Sequence, residues 1–78
     1  MRKSRYTKRY EQLLAALRQA RKNAGLTQTQ VGRKFGAHAS FVSKVESGER
    51  RIDVIELADL CRVYGIALST FLRDACVE

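Results

Sequence analysis

The side chains of this sequence that could do covalent chemistry are few and scattered. Cys61 sits in an apolar, helix-like run and reads as a small buried hydrophobe. Cys76 lies near the end of the sequence, where a free thiol is expected. His38 is the single histidine and is distant in sequence from both. A nucleophile needs a base within hydrogen-bond reach, and no Asp, Ser or Cys stands close to His38 in a catalytic pattern. No pair of residues has zinc-ligand spacing. No glycine-rich phosphate loop or nucleophile elbow is present. An enzyme, a metal centre or a bound cofactor is therefore not expected. What the sequence does supply is cations. The net charge is +7 and the pI is near 10.0, and the excess is uneven. Residues 1–51 carry 13 basic groups against Glu11, Glu46 and Glu49, a local net of +10, whereas residues 52–78 net −3. Clustered cations at such a pI are the electrostatic footprint of nucleic-acid binding. An anionic membrane surface is the competing polyanion.

These groups need elements to hold them. A chain of 78 residues allows one domain with a thin core, in which only about 60% of the unfolded surface is buried. The absence of proline favours helices throughout. No apolar run approaches the roughly 20 residues that span a bilayer. The first ten residues are basic and polar, so they are not expected to act as a secretory signal. Reduced thiols and a cytoplasmic setting are the expectation. Residues 1–9, with five cations and no acid, read as a basic N-terminal arm, solvated or laid along DNA. Residues 10–78 read as the folded domain.

Five helices are predicted. The first spans Tyr10–Asn23, with Leu13, Leu14, Leu17, Ala20, Arg21 and Ala24 on one face. Arg21 interrupts that otherwise apolar face. The second opens at Thr27, where Thr27 and Gln30 form a capping box, and Val31 and Phe35 face inward. The third spans about Ala39–Ser47. Val42 and Val45 point inward, while Ala39, Ser40, Ser43 and Lys44 face out. That outward face is small, polar and cationic, which is unusual for a helix whose only role is packing. The fourth follows Asp53, with Glu56 as a second capping partner, and buries Val54, Leu57, Leu60, Cys61 and Tyr64. Ile66, Leu68, Phe71 and Leu72 make a last short helix, to about Asp74. Gly25, Gly36, Gly48 and Gly65 mark the stops.

The second and third helices, joined by a short turn, have the substance of a helix-turn-helix. Where the two cross, Val31, Phe35, Ala37, Val42 and Val45 are all apolar. Gly32 is small where the helices come close. Gly36 stands where the turn needs positive φ.

The stretch LRQARKNAGLTQTQVGRKFGAHASFVSKVESGERR resembles the phage-repressor and Cro-like helix-turn-helix domain, the xenobiotic-response-element type of transcriptional regulator. AGLTQTQVG, FVSKVESGERR and IELADLCRVYGI carry the likeness most specifically, and it covers about Leu13 to Leu72. It implies an all-α, compact five-helix domain. It implies base reading by Ala39, Ser40, Ser43 and Lys44, and phosphate contact by Thr27, Gln28, His38, Ser47, Arg50 and Arg51. It also implies that Arg21 pairs with Glu46, which accounts for the cation on the apolar face of the first helix. Members that read adenine often begin this helix with Gln or Asn; here Ala39 can only touch a thymine methyl, Ser40 accepts either partner, and Lys44 is the strong candidate for guanine. His38 is a weaker cap than usual. Phe41 is expected to pack on a sugar or on the second helix.

The function implied is sequence-specific double-stranded DNA binding by a transcriptional regulator, a repressor of bacterial or phage origin acting as a homodimer on an inverted repeat. The dimer contact is expected at the acidic C-terminal end, through Ile66, Leu68, Phe71 and Leu72. For Phe71 the competing expectation is the chain's own core. The alternative function is an antitoxin-type protein that binds a toxin partner and represses its own operon.

Overall fold

Thr7 sets the start of the first helix. In the computed structural model, which describes residues 7–76, its hydroxyl accepts the Tyr10 N–H at 3.1 Å. Helix α1 therefore runs Lys8–Asn23, two residues longer than its apolar face predicts. A good cap can begin a helix ahead of its first buried side chain. Lys8 and Arg9 are thus helical rather than part of an arm, and residues 1–6 lie outside the described residues. Tyr10, Leu14 and Leu17 form the buried face of α1.

The remaining helices fall where the sequence signals stand. Helix α2 is Gln28–Phe35, opened by the complete capping box: the Gln30 N–H donates to Thr27 Oγ1 at 3.1 Å and the Thr27 N–H to Gln30 Oε1 at 2.9 Å. Helix α3 is Ala39–Ser47. Helix α4 is Val54–Tyr64, opened by the second box, in which Glu56 N–H donates to Asp53 Oδ1 at 2.8 Å and Asp53 N–H to Glu56 Oε1 at 3.2 Å. Helix α5 is Leu68–Asp74 and has no side-chain cap. Among the described residues there are five helices and no strand, and no helix is long and apolar enough to cross a membrane.

Helix α3 packs against both α1 and α2, α4 packs against α2 and α5, and α5 returns to α1. The core between them is Leu17, Val31, Val42, Val45, Leu57, Leu60, Cys61 and Phe71. One expectation is corrected here. Val54 is 64% exposed; it sits in the first turn of α4, which projects past the core, and inward packing begins only at Leu57. Phe71 is 1% exposed and belongs to the core, the competing expectation for it. Ile66 and Phe71 line one groove with Ala16, Ala20 and Tyr64, whereas Leu72 lines another with Tyr10, Leu57 and Arg51.

Candidate nucleic-acid interface

The pairing of α2 with α3 rests on Gly32. A Cβ there would come within 3.0 Å of the Ala39 nitrogen and of the His38 carbonyl carbon. The backbone at the start of α3 occupies the space that a side chain would need. Gly36 supplies the turn, with φ of 76°, and the Ala37 N–H returns to the Gly32 carbonyl at 2.8 Å. His38 then caps α3: its Nδ1 accepts the Ser40 N–H at 3.1 Å. An accepting Nδ1 carries no proton, so the ring hydrogen sits on Nε2, on the exposed side of the turn.

A polar cluster pins α3 from behind. Glu46 is the one buried charged side chain among the described residues. Arg21 grips it with two hydrogen bonds, Nε to Oε2 at 2.7 Å and Nη2 to Oε1 at 3.1 Å. The two side chains are only 12% and 5% exposed. The third arm of the guanidinium, Nη1, donates to the Leu26 carbonyl at 3.0 Å, which ties in the α1–α2 turn. Gln28 completes the set, its Nε2 donating to Glu46 Oε1 at 3.0 Å. Arg18 Nη2 donates to the Glu46 carbonyl at 3.2 Å. The expected Arg21–Glu46 pair is therefore present, and it is larger than the resemblance implied. The hydrogen bonds to Glu46 raise the pKa of Arg21 above its ordinary value, and burial pushes the nearby Tyr64 phenol up to about 12. Arg18 and Gln28 as partners of Glu46 carry no local sequence signal, since they lie 28 and 18 residues away from it.

With its apolar and acidic sides engaged, α3 presents Ser40, Ser43 and Lys44 to solvent. Ala39 is half-buried, its backbone nitrogen set against Gly32. The Ser40 hydroxyl lies 3.1 Å from His38 Nδ1. Ser47 Oγ donates to the Lys44 carbonyl at 3.1 Å and accepts the Glu49 N–H at 3.3 Å. Thr27 is exposed at the α2 cap, while Gln28 turns one N–H inward to Glu46 and leaves the second for another acceptor.

The two arginines of the α3–α4 loop differ. Arg51 lies over the Tyr10 ring, 4.4 Å from its centroid, and the Tyr10 hydroxyl accepts the Ile52 N–H at 3.2 Å. Arg50 is turned toward α4. Its Nη1 and Nη2 donate to the two oxygens of Glu56 at 3.0 and 2.9 Å. These bonds hold the Glu56 carboxyl below the usual carboxylate range. Phe41 packs on the second helix, one of its two expected places, stacked on Phe35 with centroids 5.0 Å apart. In the sequence Glu56 is visible only as a cap; its hold on Arg50 leaves no local signal.

No His, Cys, Asp or Glu group among the described residues could hold a metal ion. The cysteines are unpaired, Cys61 buried with its thiol pushed up by desolvation, and Cys76 exposed.

The family model of the helix-turn-helix domain matches residues 12–73, the span from within α1 to within α5. The chain belongs to the helix-turn-helix domain family. It is similar to the solved structure of an XRE-family like protein from Pseudomonas syringae pv. tomato str. DC3000, with 45% identity and a TM-score of 0.82 over 86% of this chain and 82% of that one. No curated protein matches it. In this helix-turn-helix, α2 is the supporting helix and α3 the exposed second one, and a DNA-binding transcription regulator is the role that family and neighbour support.

Proposed function

We propose that this protein binds double-stranded DNA sequence-specifically through α3 and represses transcription in a bacterial or phage-infected cytoplasm. The observation that carries the reading is the division of α3. Val42, Val45 and Glu46 are buried and pinned, while Ser40, Ser43 and Lys44 stand clear on the opposite side. A helix fixed so firmly by one side offers the other to the major groove. Lys44 supplies the strongest base contact, to a guanine edge, and Ser40 and Ser43 assist it. Ala39, half-buried, is confined to apolar contact with a thymine methyl. Phosphate contacts come from Thr27, the second amide hydrogen of Gln28, His38 Nε2–H, Ser47 and Arg51.

A single helix reads too few base pairs to find one site among a genome's competitors, so two copies act on an inverted repeat. With Phe71 in the core, we propose that the second copy docks against the first turn of α4. There Val54 and Ile55 are 64% and 68% exposed, beside the loop that carries Arg51. Two such side chains fall far short of the roughly 800 Å² per partner of a standard interface. The pair therefore forms on DNA, where the duplex holds both copies, and not in dilute solution.

The deciding experiment is selection from random-sequence DNA with purified protein. Enrichment of an inverted repeat with half-sites about one helical turn apart is expected. Enrichment of nothing, with binding that tracks salt alone, would overturn the reading.

A further inference from the structure

Arg50 touches more of the molecule than a loop cation needs to. Its backbone N–H donates to the Lys44 carbonyl at 3.0 Å, closing the end of α3. Its guanidinium carbon lies 4.8 Å from the centroid of the Phe41 ring, in the first half of α3. Phe41 in turn stacks on Phe35 of α2, with the rings 15° from parallel. The guanidinium edge is filled by both oxygens of Glu56, and Nη1 also reaches the Arg51 carbonyl at 3.2 Å. Glu56 belongs to the first turn of α4 and caps Asp53 as well. One arginine thus joins α2, both halves of α3, the following loop and α4.

A phosphate ligand needs a fork that is open to the anion. Here a carboxylate already holds the fork in the bidentate geometry that phosphate would use. The planar guanidinium also prefers a stacked, paired site of this kind. We propose that Arg50, clamped by Glu56, is a positioning residue: it presses Phe41 onto Phe35, and so sets the seat of α3 on which base readout depends. The proposal rests on the reading of α3 as the DNA-contacting helix.

The two roles for Arg50 predict opposite signs for one substitution. Glu56→Gln keeps a side chain able to cap Asp53, since Gln serves at that position of a capping box. It also removes the carboxylate. If Arg50 were a phosphate ligand restrained by Glu56, freeing it would tighten DNA binding and steepen the dependence of log K on log salt. If Arg50 positions α3, Glu56→Gln weakens binding to the selected operator about fivefold, the scale of an exposed pair together with one ring contact. It leaves binding to random DNA and the salt slope unchanged.

Arg50→Gln should have the same effect, again with no change of slope, whereas loss of a phosphate contact would lower the slope by about 0.9. The double variant should be no worse than either single one, because both break the same link. The measurements are fluorescence anisotropy on operator and random duplexes over a salt series, with melting curves showing each variant folded at the assay temperature. Tighter or unchanged operator binding by Glu56→Gln, or a flattened slope for Arg50→Gln, would overturn the proposal. Failure of the underlying reading looks different, because the parent protein would then select no operator at all.

Discussion

Glu46 concentrates much of what is at stake in single side chains. Four donors converge on it, three on its carboxylate and one on its carbonyl. Glu46→Gln strips the charge that balances Arg21 and leaves that cation in a mostly buried site. Breaking a buried pair in this way costs about 3–5 kcal/mol, and a domain of this size loses roughly 4–8 °C of Tm per kcal/mol. A large fall in Tm by circular dichroism is expected, and a Tm within a degree or two of the parent would refute the pinning role. The exposed side chains make a different prediction. Lys44→Ala should weaken the best operator by about 1–3 kcal/mol and relax preference at one base pair. Arg51→Ala should weaken all sequences alike, because a phosphate contact carries no sequence information. Competition binding against single-base operator variants separates the two, and equal losses on operator and random DNA for Lys44→Ala would remove it from the reading set. At this scale the sequence is only partly legible. A cation on the apolar stripe of α1 is visible, but its partner is known only through family likeness. Gln28 and Arg18 reach Glu46 through space, which no local pattern encodes.

Among the elements, what is local is legible. Both capping boxes, the helix stops and the bounds of α3 follow from neighbouring residues, and each appears where its chemistry stands. Helix α1 starts at Lys8 because its cap is Thr7, while the apolar period begins only at Tyr10. Val54 is exposed where its period predicts burial, because periodicity gives a face but not where the neighbouring helix ends. Gly32 is the sharpest test at this scale. In an isolated helix, Gly→Ala gains roughly 1 kcal/mol. Here the added methyl would meet backbone atoms at 3.0 Å, and backbone cannot rotate away. Overpacking of that kind costs about 1–3 kcal/mol. Gly32→Ala should therefore lower stability to urea and shift the chemical shifts of Ala39 and His38. A variant as stable as the parent would show that α3 is free to move off α2.

For the molecule as a whole, Phe71 takes the core, the competing expectation for it. Its apolar neighbours at the C-terminal end suggested more than a lone core needs, but so small a domain uses nearly every large apolar side chain for itself, and the surplus lies at Val54 and Ile55 instead. Ile55→Glu should leave Tm and half-site affinity unchanged and abolish cooperative filling of the two half-sites, read by gel shift on full and half operators. Cooperativity that persists would move the contact elsewhere. Alkaline pH tests the core. Cys61 and Tyr64 both have raised folded-state pKa values, Tyr64 to about 12, against ordinary values of 9.0 and 10.0. Their protonated forms are favoured by folding. That contribution is complete below the ordinary values and is lost as pH rises from about 9 toward the folded-state values. Urea denaturation should show stability falling above pH 9, and Cys61→Ala should delay the fall toward pH 10. An onset unchanged by that substitution would mean the thiol is not its source.

The seat of α3 over Gly32 also bears on how such a regulator acquires new targets. It is the backbone nitrogen of Ala39 that faces Gly32, and the residue is half-buried. Ser40, Ser43 and Lys44 are exposed, and surface substitutions of this kind usually change stability by no more than about 0.5 kcal/mol. If α3 reads bases as proposed, a lineage can exchange these three one at a time, altering which operator is recognised while every intermediate still folds.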